Sequence, residues 1–251
     1  MHKILANTIF LGKDILSLPE CHSTNDIAMQ RYKQGLAHEG SIVITDKQTK
    51  GRGQRGNAWF SEPGKNLTFT LVLAPLFLDA SEQFDLNIMI TLAIREVLGN
   101  YSRDIKVKWP NDIVHEREGK LGGVLIENIV SQKGIENSFV GIGLNINQTE
   151  FPFPGPTSVA NLAGGEVDKE EVFKLLIKSI ENQYLHLKRG YKIAMRSEYI
   201  HHLFRFDEWA LFEDSNIFKG RITGISEEGK LFIEKENKVM NQYSFKEVKF
   251  L

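Results

Sequence analysis

Residues 105–147 of the chain, IKVKWPNDIVHEREGKLGGVLIENIVSQKGIENSFVGIGLNIN, contain the pattern from which the fold class follows. Three strand-like segments lie around 105–109, 121–130 and 138–147, and the polar residues 116–119 between the first two are typical of a turn. Neighbouring strands joined by a hairpin run antiparallel, so this segment favours a mixed sheet over a doubly wound parallel one.

Upstream of this segment, helices and strands alternate. Ser23 is a candidate N-cap for a short helix that ends at Gly35, where a glycine tolerates the left-handed conformation. The β-rich runs 41–45 and 66–73 are predicted strands, and the apolar periodicity of residues 82–99 predicts a well-buried helix.

Downstream, the chain divides into a helical part and a strand-rich part. Asp168 begins a predicted helix, and a further helical stretch reaches about Phe204. We therefore predict an α+β fold, a mixed β-sheet with helices, for residues 1–205. Residues 206–251 contain short strands separated by polar turns, which predicts a small β-barrel packed on the main domain.

Composition excludes several classes of protein. The 251 residues include 41% hydrophobic and 25% charged side chains, as in ordinary globular proteins. The formal charge of −1 gives no global attraction to nucleic acid. The single cysteine, Cys21, excludes an internal disulfide and a cysteine-built zinc site. No signal peptide and no membrane-spanning run is recognisable, so we expect a cytoplasmic protein.

Residues 51–59, GRGQRGNAW, form the most informative loop. Its three glycines let backbone N–H groups approach a ligand, and Arg52 and Arg55 supply guanidinium groups suited to phosphate or carboxylate. Trp59 offers a flat face for a ring. The pattern indicates a loop that closes over an anionic ligand, or else a solvated turn with Trp59 in the core. The two commonest nucleotide motifs, a G-x-G-x-x-G that opens a helix after the first strand and the P-loop, are not found.

Three further clusters are ambiguous when each is considered alone. KWPND (108–112) is either a turn after a strand or part of a site. GKLGG (119–123) is either a bulge beside a surface lysine or a place where a ligand lies against the strand. Asn145, within GIGLNIN (141–147), is costly in an apolar strand unless it has a hydrogen-bond partner or a ligand.

Together and in this order, these motifs resemble those of the biotin protein ligases, which attach biotin to a lysine of carboxylase carrier domains. The matching pieces are Ser23-Thr24-Asn25, Gln48 before GRGQRGNAW, KWPND, GKLGG and GIGLNIN. The resemblance covers essentially the whole chain, more loosely at the carboxyl end. It implies a biotin/lipoate ligase-like catalytic domain and an SH3-like barrel at 206–251. The implied reaction activates biotin with Mg²⁺ and ATP to biotinyl-5′-AMP, then transfers biotin to a lysine of a biotin carboxyl carrier protein or domain.

The resemblance also implies roles for individual residues. Biotin would be bound by Ser23, Thr24, Asn25, Gln48, Gly51, Arg52, Gly53, Lys120, Gly123 and Gly141. The nucleotide would be bound by Gln54, Arg55, Trp59, Asn111, Lys120 and Asn145, with Asn145 also helping to hold Mg²⁺. Lys120, Arg52 and Asp112 would be catalytic. The repulsion between carboxylate and phosphate would be offset by Arg52, Arg55, Lys120 and Mg²⁺, and Asp112 would position the incoming lysine.

The chain departs from the family pattern at two places. Many members carry arginine at the position of Gln54, and members often end with an arginine-bearing strand near the adenine, for which the tail 245–251 has no evident equivalent. Some members begin with a DNA-binding domain. Only about twenty residues precede Ser23, so we expect no operator binding. Members include monomers and homodimers, and the sequence does not choose between them.

Two other functions compete with biotin ligation. The first is a lipoate or octanoate transferase on the same fold, against which Ser23, Thr24 and Gln48 argue because they suit a polar bicyclic head group. The second is a non-catalytic module whose basic loop binds nucleic acid. Its affinity would fall steeply with ionic strength, whereas biotin binding would not.

Overall fold

A seven-stranded mixed sheet forms the centre of the protein. The computed structural model describes residues 7–251, apart from the side chain of Arg55. The sheet has the strand order β1-β2-β3-β7-β6-β5-β4, in which β1 and β2 are parallel and all other neighbours are antiparallel. The strands are β1 (Ile15–Leu18), β2 (Ile42–Thr45), β3 (Leu67–Leu73), β4 (Ile105–Lys108), β5 (Asp112–His115), β6 (Gly119–Ser131) and β7 (Gly134–Leu144).

Helices cover both faces of this sheet. They are α1 (Thr24–Lys33), α2 (Gln83–Leu98), α3 (Val159–Ala163), α4 (Lys169–Lys188) and α5 (Lys192–His201). Helices α2, α4 and α5 build the larger hydrophobic core, whereas α1 covers a smaller cluster around Phe139 on β2, β3 and β7. The predicted ends of α1 are confirmed, since the Ser23 hydroxyl accepts from Asp26 N and Gly35 has a φ of +72°. Asp168 likewise caps α4 by accepting from the N–H groups of Glu170 and Glu171.

The predicted hairpin around residues 116–119 joins different strands from those expected. A short strand, β5, lies between the two predicted strands, so β4, β5 and β6 form an antiparallel meander. Pro110-Asn111-Asp112 has the composition of a turn. The turn does occur there, but it connects β4 to β5 and holds a cis Trp109–Pro110 bond. The mixed sheet and the α+β class are nevertheless confirmed.

The carboxyl-terminal part forms a separate five-stranded antiparallel sheet with the order β11-β10-β9-β8-β12. Its strands are β8 (Trp209–Glu213), β9 (Ile217–Ile225), β10 (Leu231–Lys235), β11 (Met240–Tyr243) and β12 (Lys249–Phe250). The turn between β9 and β10 docks on the main domain, since Trp109 Nε1 donates to Gly229 O over 2.8 Å. A Cβ at residue 229 would overlap the Phe84 ring, so only glycine allows this approach.

Arg196 on α5 clamps the same turn. Its guanidinium donates to the carbonyls of Ser226, over 3.0 Å, and Glu227, and Arg196 Nε lies 2.7 Å from Asp85 Oδ1. The Asp85 side chain is only 2% exposed, so this buried ion pair between α2 and α5 holds the guanidinium that binds the turn of the second sheet.

No helix in residues 7–251 combines the length and the apolar character that crossing a membrane would require.

Candidate functional site

A cavity of about 630 Å³ opens where α1, the glycine-rich loop, the ends of β4 to β7 and the carboxyl-terminal tail meet. Most of the predicted site residues line it. They are Ser23, Thr24, Asn25, Gln48, Arg52, Gly53, Gln54, Trp59, Asn111, Asp112, Lys120, Gly123 and Gly141. Gly51 and Asn145 are not in the lining, and the side chain of Arg55 lies outside the described part of the chain.

One end of the cavity is a chain of hydrogen bonds between buried polar groups. Thr24 donates to Gln48 Oε1 from its backbone N–H (2.7 Å) and from its hydroxyl (3.1 Å). The Thr70 hydroxyl donates to Asn25 Oδ1 over 2.6 Å and lies 2.8 Å from Thr24 Oγ1. Thr70 was not found from the sequence, because on an apolar strand its hydroxyl gives no local signal. The network fixes the orientation of the amide and hydroxyl groups that face a ligand.

Arg52 bridges two carboxylates at the cavity mouth. Its guanidinium makes two hydrogen bonds to Asp26, 2.6 and 2.9 Å long, and lies 3.5 Å from Glu127 Oε2. The hydrogen bonds to Asp26 raise the pKa of Arg52 above its ordinary value. Asn25 Nδ2 also donates to Glu127 over 2.7 Å, so the loop, α1 and β6 are tied together at this point.

Lys120 and Asp112 form the ion pair at the centre of the cavity. Lys120 Nζ lies 2.6 Å from Asp112 Oδ1, and the two side chains are 38% and 28% exposed. A Cβ at residue 123 would lie 3.0 Å from Asp112 Oδ1. Because residue 123 has no side chain, the Lys120–Asp112 pair has space to pack against β6.

Glycines on β7 provide the floor of the cavity. A Cβ at residue 141 would lie 2.5 Å from Asn25 Oδ1, and one at residue 143 would lie 2.6 Å from Trp59 Cζ2. Both positions therefore require glycine in this arrangement. Gly51 has a related role within the loop, since a Cβ there would lie 2.7 Å from Trp59 O.

Asn145 is buried behind the cavity. Its amide nitrogen donates to Thr157 O (3.0 Å) and Lys120 O (3.3 Å), whereas Oδ1 has no hydrogen-bond partner within residues 7–251. Leaving a buried oxygen unpaired is costly, and an oxygen donor suits Mg²⁺. In the described part of the chain no cluster of three or more His, Cys, Asp or Glu side chains could hold a metal. The donor set therefore fits an ion held mainly by phosphate and water, with Asn145 as one protein ligand.

A comparison with protein families shows to which family this chain belongs. The family model described as "Biotin/lipoate A/B protein ligase family" matches residues 18–145, just over half of the chain. The chain belongs to this family. The matched segment contains the loop, Lys120, Asp112 and the glycines of β7.

Relatives of this ligase family resemble the chain at moderate identity. The "bifunctional ligase/repressor BirA" of Bacillus subtilis is 28% identical over 229 residues, which is 83% of this chain and 66% of that protein. The "biotin--[acetyl-CoA-carboxylase] ligase" of Paracoccus denitrificans is 34% identical over 169 residues, 63% of this chain and 68% of that protein. The solved structure of the biotin protein ligase from Aquifex aeolicus with biotin and ATP has a TM-score of 0.77 at 26% identity, covering 95% of this chain and all of that one.

The carboxyl-terminal tail lies beyond the segment that the family model matches, yet it lines the cavity. Phe245, Lys246, Val248, Lys249 and Phe250 all contribute to the wall. The sequence predicted no role for this tail, because its approach to the cavity depends on how the second sheet docks.

Lys108 also lines the cavity, and the sequence predicted no role for it. Its ammonium lies 5.1 Å from the centre of the Phe250 ring. Burial lowers the pKa of Lys108 below its ordinary value.

Proposed function

We propose that the chain is a biotin–protein ligase, which forms biotinyl-5′-AMP from biotin and Mg²⁺–ATP and then transfers biotin to a lysine of a biotin carboxyl carrier domain. The observation that carries the proposal is the continuity of one cavity from the Thr24–Gln48 hydrogen-bond network to the Lys120–Asp112 pair. A polar head group and a carboxylate on the same small molecule can occupy these two places together. The names of the relatives, which include biotin protein ligases solved with biotin and ATP, support this assignment.

At the Thr24–Gln48 end of the cavity, the ligand forms hydrogen bonds with groups that are already oriented. Ser23, Thr24, Asn25 and Gln48 bind the head group of biotin, and the absence of a side chain at Gly141 lets it lie against β7. Because these groups are polar and line the cavity, an apolar head group would take water from them without offering hydrogen bonds in return. This favours biotin over lipoate or octanoate.

The first chemical step joins two anions. A biotin carboxylate oxygen attacks the α-phosphorus of ATP, the bond from that phosphorus to the bridging oxygen breaks, and diphosphate leaves with the electron pair. Lys120 lies between the two anions and stabilises the charge that develops on the phosphoryl oxygens. Asn145 would be the protein ligand of Mg²⁺, which supplies further neutralisation of the phosphates when bound.

The mixed anhydride must then be protected from water. The loop 51–59 contributes Arg52, Gly53, Gln54 and Trp59 to the cavity wall. In this proposal Trp59 packs beside the adenine, and Arg52 and Gln54 cover the ligand. A loop ordered over the adenylate excludes water from the acyl carbon. In the second step the neutral amine of the acceptor lysine attacks that carbon, the carbon–oxygen bond to phosphate breaks, and AMP leaves. Asp112 orients the amine and can accept the proton that it loses.

The five-stranded sheet is the SH3-like barrel of this proposal, with the boundary between the two domains at 205/206. Two observations support it, namely the separate antiparallel sheet and the change from helices to short strands after α5. The docked β9–β10 turn places the tail of this domain in the cavity wall.

Mass spectrometry of the products tests the assignment. The protein is incubated with Mg²⁺–ATP and an equimolar mixture of biotin, lipoate and octanoate. We expect biotinyl-AMP alone. Formation of lipoyl- or octanoyl-AMP would be consistent with the fold but would overturn the assignment of the head-group pocket. If no adenylate forms where a known biotin ligase makes it, the proposal is wrong. A binding titration at two ionic strengths then tests the nucleic-acid alternative.

A further inference from the structure

Lys108 differs from the other cationic side chains of the cavity wall whose contacts are described. Arg52 is paired with Asp26, Lys120 with Asp112, and Lys249 with Glu213 over 3.1 Å. Within residues 7–251, the Lys108 ammonium makes no salt bridge and no hydrogen bond, and the ring of Phe250 lies beside it. The Asp112 carboxylate acts on this ammonium across the strand pair, but its oxygen is bonded to Lys120, so a partly buried ammonium that makes no bond of its own gains most from an anion that enters the cavity.

The strand order places this lysine on the far side of Asp112 from Lys120. Lys108 is opposite Asp112 in the β4–β5 register, while Lys120 reaches Asp112 from β6 on the other side. Lys108 is in register with Asp112 and Lys120 with Val114, so the two lysines enter the cavity wall from strands on either side of β5. Two cations that enter one cavity from opposite sides can contact different phosphates of one nucleotide.

We propose that Lys108 binds the β- and γ-phosphates of ATP, and with them the diphosphate that leaves when biotinyl-AMP forms. The inference rests on the proposed function and deepens it, because it assigns the leaving group to a specific side chain. As the bond from the α-phosphorus to the bridging oxygen breaks, negative charge accumulates on the diphosphate. The Lys108 ammonium stabilises that charge at the end of the cavity away from the biotin head group.

The alternative, that Lys108 binds the acceptor protein, fits the charges less well. The acceptor lysine approaches Asp112 as an amine that is cationic in water, and Lys108 repels it. Diphosphate, in contrast, is strongly anionic and occupies the cavity only in the first half-reaction. The two half-reactions therefore separate the alternatives.

The test uses Lys108→Gln and Lys108→Arg in the full chain. Lys106→Gln is the matched control, because Lys106 lies on the same strand, pairs with Glu116 over 3.5 Å and does not line the cavity. Adenylate formation is followed at saturating biotin as ATP–diphosphate exchange. Transfer is followed separately, from presynthesised biotinyl-5′-AMP to a biotin carboxyl carrier domain. Thermal unfolding of each variant confirms that the fold is intact.

We expect Lys108→Gln to raise the KM for ATP and the inhibition constant of diphosphate at least tenfold and to slow adenylate formation. Lys108→Arg should fall between Lys108→Gln and the wild type. Biotin affinity and transfer from the preformed adenylate should equal the wild-type values in both variants. Unchanged ATP–diphosphate exchange in Lys108→Gln would overturn the inference, and so would a loss confined to transfer, which would place Lys108 on the acceptor. A wild-type protein that forms no biotinyl-AMP would refute the proposed function itself, and the inference with it.

Discussion

The indole of Trp59 lies directly against Gly143 of β7, where an added Cβ would come within 2.6 Å of Cζ2. The contact brings a loop residue onto the floor of the cavity and buries the indole nitrogen, which has no hydrogen-bond partner in the described part of the chain. An unpaired buried N–H is costly, so a ligand that offers an acceptor there would be favoured.

Gly143→Ala should displace this indole without unfolding the protein, because the neighbour that must move is a side chain on a loop. If Trp59 packs beside the adenine, the KM for ATP should rise about tenfold, or about 1.4 kcal/mol, with biotin affinity little changed. Steady-state kinetics and tryptophan fluorescence measure the two effects. Gly165→Ala is the control, since a Cβ at residue 165 meets nothing within 4 Å. An unchanged KM would remove Trp59 from the nucleotide site.

Arg52 and Asp26 should prove strongly coupled in function and weakly coupled in stability. The Arg52 side chain is 43% exposed, so loss of the pair should change the free energy of unfolding by less than about 1 kcal/mol. Biotin affinity should fall at least tenfold in Arg52→Ala and by less in Asp26→Asn. Calorimetric titration of biotin into the two single variants and the double variant completes the double-mutant cycle. Additive losses in the double variant would show that Asp26 does not hold Arg52 for the ligand.

Lys120→Ala should abolish adenylate formation and leave the thermal transition close to that of the wild type. The Lys120 side chain is 38% exposed, so its pair with Asp112 adds little stability, whereas the adenylyl transfer loses its central cation. ATP–diphosphate exchange measures the loss. Lys50→Ala, at an exposed position outside the cavity lining, serves as the control. Biotinyl-AMP formation by Lys120→Ala at nearly the wild-type rate would contradict the assignment.

Acid should destabilise the protein partly through His202. Burial lowers the pKa of His202 to about 4, and Arg95, His201 and Lys106 act in the same direction. Between about pH 6.5 and pH 4 the unfolded chain therefore binds a proton that the folded protein does not, so stability falls as the pH decreases through that window. The expected contribution is about 1 kcal/mol after solvent screening.

Thermal unfolding at pH 7 and pH 4.5 measures the His202 effect. His202→Gln should lose less stability on acidification than the wild type, and His38→Gln, at an exposed histidine that is not among the groups acting on His202, provides the control. Equal acid sensitivity of His202→Gln and the wild type would show that other groups account for the loss.

Arg196→Met should destabilise the protein by about 3 kcal/mol, because it leaves the Asp85 carboxylate buried without its cation. Burial already raises the pKa of Asp85 above its ordinary value. Chemical denaturation measures the change. The double variant Asp85→Leu/Arg196→Met should recover much of the loss, since it removes both charges. A double variant as unstable as Arg196→Met would instead assign the effect to the clamp on the β9–β10 turn.

Local patterns in the sequence were sufficient for most of the helices and strands and for much of the site. Ser23, Gly35 and Asp168 mark helix ends through chemistry that depends only on neighbouring residues. The ordered motifs also predicted that Gln48, Lys120 and Gly141 share one cavity. Strand β5 was missed because its first residue, Asp112, has the composition of the preceding turn and only three residues follow it before the next turn.

The remaining features depend on contacts between distant parts of the chain. No local pattern pairs Arg52 with Asp26, places Thr70 beneath Asn25, or brings Phe250 to Lys108. Each arises from the register of the sheet or from the docking of the second sheet. The side chains that complete the site are therefore the ones that sequence reasoning recovers least well.

The hydrogen bond from Trp109 to Gly229 has a consequence for folding cooperativity. Trp109 precedes Pro110, whose carbonyl accepts from Asn87 Nδ2 over 2.6 Å, and it contacts Phe245 of the tail with ring centres 5.3 Å apart. The end of β4 that lines the cavity and the small sheet are thus parts of one packed unit. Heating should melt both sheets in a single calorimetric transition, and a chain cut between residues 205 and 206 should lose the nucleotide end of its cavity before it loses the head-group end.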